Sequence, residues 1–271
     1  TGTPPPAAAT SMPPFLDTPS KSKIRQGKWT RIRPLQRDEI DEYTRAGMGT
    51  AETIWGIRNN LCKVMSYLPR LMQTEVEYAN SFIFDPPILR EGVWESGFND
   101  RFIKELVISR TSLLNRSRYS ITHHAFMGMA LFASVGRADD GYSKFLHLHE
   151  HERHPAVYDE REQAVLDYAV AVARHAHSVT DEQFNRLRRA LRAHATATEN
   201  NLKSASADTI DRFVDAQIVE LTWLTGHYCL LNRWFTALAV PDEDANDEDN
   251  FLAAYESTVP AEIRARNARI L

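Results

Sequence analysis

Cysteine is scarce in this sequence: its 271 residues include only Cys62 and Cys229. The two lie far apart, each inside an apolar helical pattern, so we expect buried, reduced thiols that act as small hydrophobic residues. Two such cysteines do not make a disulfide framework. The sequence therefore predicts a cytoplasmic protein.

Long apolar runs and clusters of one charge are also missing. No window of about 18 apolar residues occurs, so no membrane-spanning helix is predicted. Thirty-two basic residues against 36 acidic residues give a net charge of −4, and there is no basic run. This balance argues against a nucleic-acid-binding protein, so we expect neither a nucleic acid nor a membrane as partner.

Alternation of apolar and polar residues, the pattern of a half-buried strand, is absent over any useful length, and helical periodicity recurs instead. The sequence therefore predicts an all-α fold. Capping residues, first-turn prolines and prolines beyond helix ends give the boundaries. The predicted helices cover residues 38–48, 51–67, 70–84, a helix capped at 99 or 100, and residues 119–135, 159–177, 181–195, 209–238 and 260–270.

The composition divides the chain into three segments. Residues 1–28 open with a stretch rich in Pro, Ala, Ser and Thr, which is typical of a flexible arm. Residues 29–242 carry the helical pattern and are predicted to form a helical domain. Residues 243–271 are predicted to form an acidic segment followed by a helix.

The most informative motif joins a glutamate, two serines and a histidine. Ser117 and Ser120 are three positions apart and His124 follows four positions later, so the three side chains line one face of a helix. Glu105 lies too far back to share that face on a straight helix. A chain turn near Asn115 is needed if the glutamate is to join the other three side chains in one site.

This spacing resembles the catalytic signature of the AhpD-like (alkyl hydroperoxidase D-like) and carboxymuconolactone decarboxylase superfamily. The resemblance extends from residue 29 to about residue 242, and segments 31–35, 55–71, 101–124, 158–164 and 218–233 carry it. It implies an all-helical fold, assembly as a homo-oligomer (dimer, trimer or hexamer), sites near subunit contacts, and no obligatory metal or cofactor.

The resemblance also implies roles for individual residues. Glu105 matches the family's proton-relay glutamate and His124 matches its supporting histidine. Ser117 and Ser120 match the two cysteines that perform the redox step in the family, and Tyr119 matches a tyrosine of cysteine-poor relatives. This chain is therefore identified as a member without the catalytic cysteines.

The two serines change the chemistry that the site can perform. A hydroxyl has a far higher pKa than a thiol and cannot form a disulfide intermediate, which argues against peroxidase activity. Glu105, Tyr119 and His124 are the predicted catalytic groups, because burial and charged neighbours tune Glu and His towards acid–base work near neutral pH. The serines are predicted to bind the substrate by hydrogen bonds rather than to act as nucleophiles.

Structural roles remain open for the same residues. His124 on a helix that faces other helices is equally typical of a hydrogen-bonded core histidine. Glu105 is equally typical of a helix glutamate paired with Arg101 or Arg110. His123, adjacent to His124, points about 100° away and is expected to have a different environment.

The predicted closing helix supplies further candidates for substrate binding: His227, Tyr228 and Arg233. The planar guanidinium of Arg233 suits bidentate binding of a carboxylate or phenolate, and its alternative is a buried ion pair. The aromatic residues of this region suit a flat substrate, although aromatics at helical spacing are core residues by default.

The histidine-rich run at 147–154 invites a metal site, since alternating histidines on a strand, or His147, His151 and His154 on one helical face, could converge on zinc. No strand is expected there, and histidines in charged surface loops are common. We therefore predict no metal site.

Together these features predict a cofactor-independent lyase, decarboxylase-like or one-carbon-eliminating, that acts on a small aromatic or lactone-type acid by general acid–base catalysis. Two alternatives stay open. One is a peroxidase-related antioxidant protein that uses another thiol, and the other is a non-catalytic oligomeric binding protein that keeps the fold.

Overall fold

The computed structural model describes residues 31–55, 59–83, 89–90, 93–94, 97–243 and 251–271. The chain divides into two compact units, residues 1–77 and 78–271. The predicted arm at 1–28 lies outside the described residues, and the predicted domain boundaries stay predictions. None of the described helices is long and apolar enough to cross a membrane.

The first unit contains one 3-10 helix and three α-helices among its described residues. A 3-10 helix at Arg37–Glu39 precedes α1 (Glu42–Trp55), α2 (Asn60–Met65) and the start of α3 (Pro69–Phe82), which continues into the second unit. The amide oxygen of Asn59 accepts a hydrogen bond from the backbone N–H of Cys62 at 2.9 Å, which starts α2 as a separate helix. The single helix predicted over 51–67 is therefore wrong.

The second unit is built from helices around α4, with one small hairpin. Its elements are β1 (Leu89–Arg90), β2 (Val93–Trp94), α4 (Arg101–Leu114), α5 (Arg118–Ser134), α6 (Ala138–His147), α7 (Glu160–His175), α8 (Asp181–Thr198), α9 (Ala207–Leu238), α10 (Phe251–Thr258) and α11 (Ala261–Ile270). The two strands pair antiparallel, with Leu89 opposite Trp94. The predicted all-α fold is confirmed.

Helix α4 is the central element of this unit. Its residues are buried from Ile103 to Leu113, and it packs against α5, α7 and α9. The helix begins where the carboxylate of Asp100 accepts a hydrogen bond from the Ile103 N–H at 3.0 Å. Because neighbouring helices surround α4, its polar side chains contact polar groups of those helices rather than solvent.

The loop before α4 is held by one carboxylate from α9. Glu220 accepts hydrogen bonds from the backbone N–H groups of Gly97 (2.8 Å), Phe98 (3.3 Å) and Asn99 (2.8 Å), and from the side-chain amide of Asn99 (2.8 Å). The ammonium of the fully buried Lys104 lies 3.5 Å from the same carboxylate. Glu220 thus fixes both the loop and the first turn of α4 against α9.

Helices α5 and α6 approach closely where glycines replace larger residues. A Cβ added at Gly128 of α5 would lie 2.2 Å from the Phe145 ring of α6, and one added at Gly141 would lie 2.6 Å from Phe132. Both aromatic side chains are buried. The two glycines therefore permit the close packing of these helices.

The observed helices differ from the prediction before the histidine-rich run, between α8 and α9, and near the C-terminus. Residues 138–147 form α6 and residues 251–258 form α10, and neither helix was predicted. Helix α9 begins at Ala207 because Ser206 caps it through the Thr209 N–H at 3.2 Å. The stretch between α8 and α9 is therefore shorter than the gap between the predicted helices 181–195 and 209–238.

Candidate functional site

A tight turn between α4 and α5 brings the motif residues together. Arg116 adopts a positive φ of 52°, and the backbone N–H of Ser117 donates to the carbonyl of Ser112 at 3.0 Å. The turn lies where the sequence requires it, next to Asn115. As a result, the start of α4 lies beside the second turn of α5.

Glu105 of α4 and His124 of α5 form a buried pair across this turn. The His124 Nδ1 lies 2.8 Å from one oxygen of the Glu105 carboxylate. The other oxygen accepts from the Arg101 guanidinium, with Nε at 2.7 Å and a second contact from Nη2. Arg101 also donates to the carbonyl of Ile83 at 3.3 Å. The carboxylate is thus shared between a guanidinium and an imidazole.

The charges of this cluster are set by burial and by its neighbours. Burial alone would raise the pKa of Glu105, but Arg101 and His124 together lower it below its ordinary value. Burial, opposed by Glu105, lowers the pKa of His124. At neutral pH we therefore expect a carboxylate that accepts the Nδ1–H of a neutral imidazole, which leaves the Nε2 lone pair free to accept a proton.

An aromatic wall lies next to the imidazole. Tyr228 of α9 meets His124 edge-on, with ring centroids 4.9 Å apart. His227 contacts Tyr228 at 5.7 Å, Tyr78 at 4.9 Å and Phe82 at 5.7 Å. The side chain of His124 keeps 8% of its surface exposed, and within the described part of the chain no residue hydrogen-bonds its Nε2.

The two serines lie near this pair in sequence but belong to a different network. The Ser120 hydroxyl is 2.8 Å from that of Ser112, which also lies 3.5 Å from the amide oxygen of Asn232. The Ser117 hydroxyl is buried, and no described residue forms a hydrogen bond with it. Neither hydroxyl forms a hydrogen bond with His124. The predicted convergence of the serines on the imidazole is therefore not observed.

Tyr119 also lies elsewhere, which corrects its predicted position beside Glu105 and His124. Its hydroxyl donates to Glu243 at 2.8 Å, and the other oxygen of Glu243 lies 2.6 Å from the His123 Nε2. The His123 ring stacks on Phe251 at 4.2 Å. Helix α5 therefore carries two histidines with separate carboxylate partners, one on α4 and one near the C-terminus.

The two adjacent histidines are expected to titrate on opposite sides of the ordinary value of 6.5. Burial would lower the pKa of His123, but Glu243 raises it, whereas burial dominates and lowers the pKa of His124. The His123 pair therefore stabilises the fold fully below pH about 6.5 and loses this contribution as the pH rises through its raised pKa. His124 acts in the opposite sense, since its neutral form is preferred and stability falls as the pH drops below about 6.5.

An NMR titration of the imidazole proton resonances, assigned with His123→Gln and His124→Gln, measures both values. Two coincident pKa values near 6.5 would contradict the assignment of separate environments.

Arg233 was predicted to face the cavity, and the structure places it on the exposed side of α9. Its guanidinium donates to the backbone carbonyl of Cys229, one turn earlier, at 2.6 Å. The guanidinium that does join the Glu105–His124 pair belongs to Arg101. The four-residue spacing of Arg101 and Glu105 is the sequence signal for this contact.

The histidine-rich run forms a 3-10 helix at Leu148–Arg153 rather than a ligand set. His147 and His154 stack at 3.8 Å, and His151 lies 3.0 Å from the Asp167 carboxylate. Among the described residues no group of three or more His, Cys, Asp or Glu side chains is arranged to hold a metal ion. Cys62 is buried, Cys229 is half-buried, and the two do not form a disulfide.

A cavity of about 450 Å³ lies between α7 and α8, away from the predicted residues. Asp167, Tyr168, Arg174 and Arg186 are among its lining residues. The Asp167 carboxylate is already bound by His151 and by Arg186, at 3.0 and 2.5 Å. The Glu105–His124 pair is the stronger candidate because its imidazole has an accepting nitrogen without a described partner.

Comparison with known proteins supports the fold. No protein-family model and no curated protein matches the chain. Two solved peroxidase-related proteins align with it: the AhpD core protein of Ralstonia eutropha (TM-score 0.55, 16% identity, 83% of this chain and 96% of that chain) and a Silicibacter protein (0.56, 17%, 85% and 98%).

A third similar structure is a cysteine-to-alanine variant of the debrominase Bmp8 in complex with 2,3,4-tribromopyrrole. It has a TM-score of 0.53 and 16% identity, and the alignment covers 89% of this chain and 98% of that chain. At this level of identity the likeness establishes the fold alone. The predicted AhpD-like, carboxymuconolactone decarboxylase-like fold is confirmed.

Proposed function

We propose that this chain, which has the AhpD-like fold, is a cofactor-independent lyase that acts on a small aromatic or lactone-type acid by general acid–base catalysis. The hydrogen bond between Glu105 and the Nδ1 of His124 carries this proposal. It orients the imidazole, fixes its tautomer and directs the basic Nε2 away from the carboxylate.

The proposed reaction uses one proton twice. The Nε2 of His124 removes the proton of the substrate's carboxyl group, and the Glu105 carboxylate stabilises the imidazolium that forms. The bond to the carboxyl carbon then breaks, CO₂ leaves, and the electron pair stays on the ring or lactone carbon. The imidazolium returns its proton to that carbon, which restores neutral His124.

Arg101 has a supporting role in this scheme. Its guanidinium holds the Glu105 carboxylate in its charged form and limits its rotation, since both donors contact the oxygen that His124 does not use. A charged, fixed carboxylate makes the imidazole a stronger base at Nε2. Arg101 is therefore a positioning residue that acts through Glu105.

The aromatic wall supports a flat substrate. Tyr228 and His227 would contact the ring of the acid, and a hydroxyl on Tyr228 gives the wall a polar edge. The debrominase of the same fold binds a tribromopyrrole, which is a small flat heteroaromatic molecule. No described hydrogen bond joins Glu105 or His124 to the other predicted residues Ser117, Ser120, Tyr119 and Arg233, so we leave these four out of the proposed mechanism.

A substrate screen tests the proposal. The purified protein is incubated with a panel of phenolic acids and lactone acids, and CO₂ release and loss of the acid are followed without added metal or cofactor. We expect turnover of at least one acid, with kcat/KM rising with pH through the lowered pKa of His124, because the neutral imidazole is the active form. Turnover that falls over the same range would contradict a His124 base.

The screen also separates the two alternative functions. The peroxidase-related neighbours favour a parallel peroxide assay. Peroxide consumption that is lost in Cys62→Ser/Cys229→Ser would point to a thiol enzyme, and we expect no significant consumption in either protein. Ligand binding without any turnover would point to the non-catalytic binding protein. The predicted homo-oligomer and the predicted cytoplasmic location stay part of this proposal.

A further inference from the structure

Helix α9 exposes an apolar stripe on the side that faces away from the core. Val219 (68% exposed), Trp223 (59%) and Leu230 (61%) lie on it, with Gly226 between the last two. The spacing of four, three and four residues keeps these positions on one helical face, as in a coiled-coil seam. The opposite side of α9, including Leu221, is buried in the second unit.

An exposed stripe of this kind is unusual for a soluble helix. Scattered apolar residues on a surface are normal, but a contiguous patch that contains a tryptophan marks an interaction site. Burial of these side chains against another apolar surface would be favourable, because it removes apolar surface from water. The stripe therefore needs a partner surface of matching shape.

We propose that the partner surface is the same stripe of a second copy of this chain, packed antiparallel about a two-fold axis. The axis passes between Trp223 and Gly226, so the indole of each copy lies over Gly226 of the second copy. Gly226 offers the space, because a Cβ added there would meet no atom within 4 Å. The same register sets Val219 opposite Leu230, two apolar side chains of similar size.

The charges at the ends of the stripe fit this register. Asp215 lies one turn before Val219, and Arg233 lies one turn after Leu230, so the antiparallel packing sets Asp215 of one copy opposite Arg233 of the other. Asp215 already contacts Arg188, yet half of its side chain remains exposed. Arg233 donates to a backbone carbonyl, and no described residue forms an ion pair with it. A parallel arrangement would instead place Asp215 opposite Asp215 and Arg233 opposite Arg233.

The stripe is long enough for a specific interface. From Asp215 to Arg233 the helix rises roughly 27 Å at about 1.5 Å per residue. In protein interfaces a few central residues, tryptophan prominent among them, supply most of the binding energy. Trp223, two copies of which meet near the axis, is such a residue.

This inference rests on the predicted homo-oligomeric state and not on the proposed catalysis. The proposed interface would lie close to the candidate site, since His227 and Tyr228 directly follow Gly226 on α9. It also gives Arg233 a role across the interface instead of the predicted role in substrate binding.

Sedimentation velocity of the full chain over a range of concentrations tests the interface. We expect the wild type to form dimers or a higher oligomer built from them, and Trp223→Glu to weaken the association by at least about 30-fold, because it places a charge at the centre of the seam. Val135→Glu is the matched control. Val135 is an equally exposed apolar residue (53%) at the end of α5, and its replacement should leave the association unchanged.

A charge exchange tests the antiparallel register. Asp215→Arg and Arg233→Asp each set like charges opposite one another and should weaken the association, whereas the double variant should restore it towards the wild-type value. Thermal unfolding of each variant separates this effect from a loss of folding, since only the association should recover in the double variant.

Each failure has a different meaning. A wild type that stays monomeric overturns the interface and the predicted homo-oligomer. An oligomer that Trp223→Glu does not weaken overturns the interface and leaves the oligomer standing. An association weakened by Trp223→Glu but not restored by the double charge exchange overturns the antiparallel register. Turnover of the wild type, measured separately, decides the catalytic proposal in every case.

Discussion

Replacement of His124 by alanine is expected to lower turnover of the acid by about 10²- to 10⁴-fold, the usual contribution of a general base. The Nε2 of this imidazole has no hydrogen-bond partner among the described residues. The fold should survive, since Glu105 keeps its contacts with Arg101. Steady-state kinetics on the acid found in the screen, together with a thermal unfolding curve, measure both effects.

The neighbouring histidine supplies the control for this experiment. His123→Gln changes an equally buried imidazole on the same helix, but one whose partners are Glu243 and the carbonyl of Tyr119. Its turnover should stay close to that of the wild type while its stability falls. Glu105→Gln should also lower turnover, because a neutral amide of nearly the same size cannot stabilise the imidazolium. Equal turnover of His124→Ala and the wild type would remove His124 from the mechanism.

Replacement of Glu220 by alanine is expected to lower the free energy of unfolding by about 3–5 kcal/mol, the range for breaking a buried charged network. The carboxylate accepts four hydrogen bonds from the loop before α4 and lies 3.5 Å from the Lys104 ammonium. Alanine leaves three backbone N–H groups without this acceptor and takes a negative charge away from a buried lysine. Urea unfolding monitored by circular dichroism measures the change.

Asp211→Ala on the same helix is the matched control. Asp211 also forms an ion pair, with Arg192, but both side chains are more than a third exposed, so its loss should cost less than about 1 kcal/mol. Glu220→Gln should fall between the two, since an amide oxygen still accepts from the loop. A loss in Glu220→Ala as small as that in Asp211→Ala would show that water or other groups replace the carboxylate.

The sequence could predict contacts that depend only on helical periodicity and on the turn between α4 and α5. Once a helix covers Tyr119 to His124 and a turn follows α4, Glu105 has to return towards the histidine face. Periodicity also put His123 in a different environment from His124. By the same rule Tyr119, five residues before His124, points about 140° away from it, so its predicted place in the cluster was wrong.

Other contacts could not be predicted because they join residues far apart in sequence. Glu243 meets Tyr119 and His123 across more than a hundred residues, and nothing local in the acidic segment indicates which carboxylate is buried. Arg233 shows a second limit. Helix α9 is apolar on both its buried and its exposed sides, so its periodicity does not tell which side faces the core.

Lys104 and Glu105 are consecutive, yet their charged ends leave α4 in different directions. One reaches Glu220 on α9, and the other reaches His124 on α5. Apolar contacts alone would not fix the rotation of α4 about its axis or its position along that axis, because hydrophobic surfaces pack against one another with little directional preference. The two polar contacts, Lys104 with Glu220 and Glu105 with His124, fix both the rotation and the position of the helix. The orientation of the His124 ring is thereby determined in part by a lysine that never contacts it.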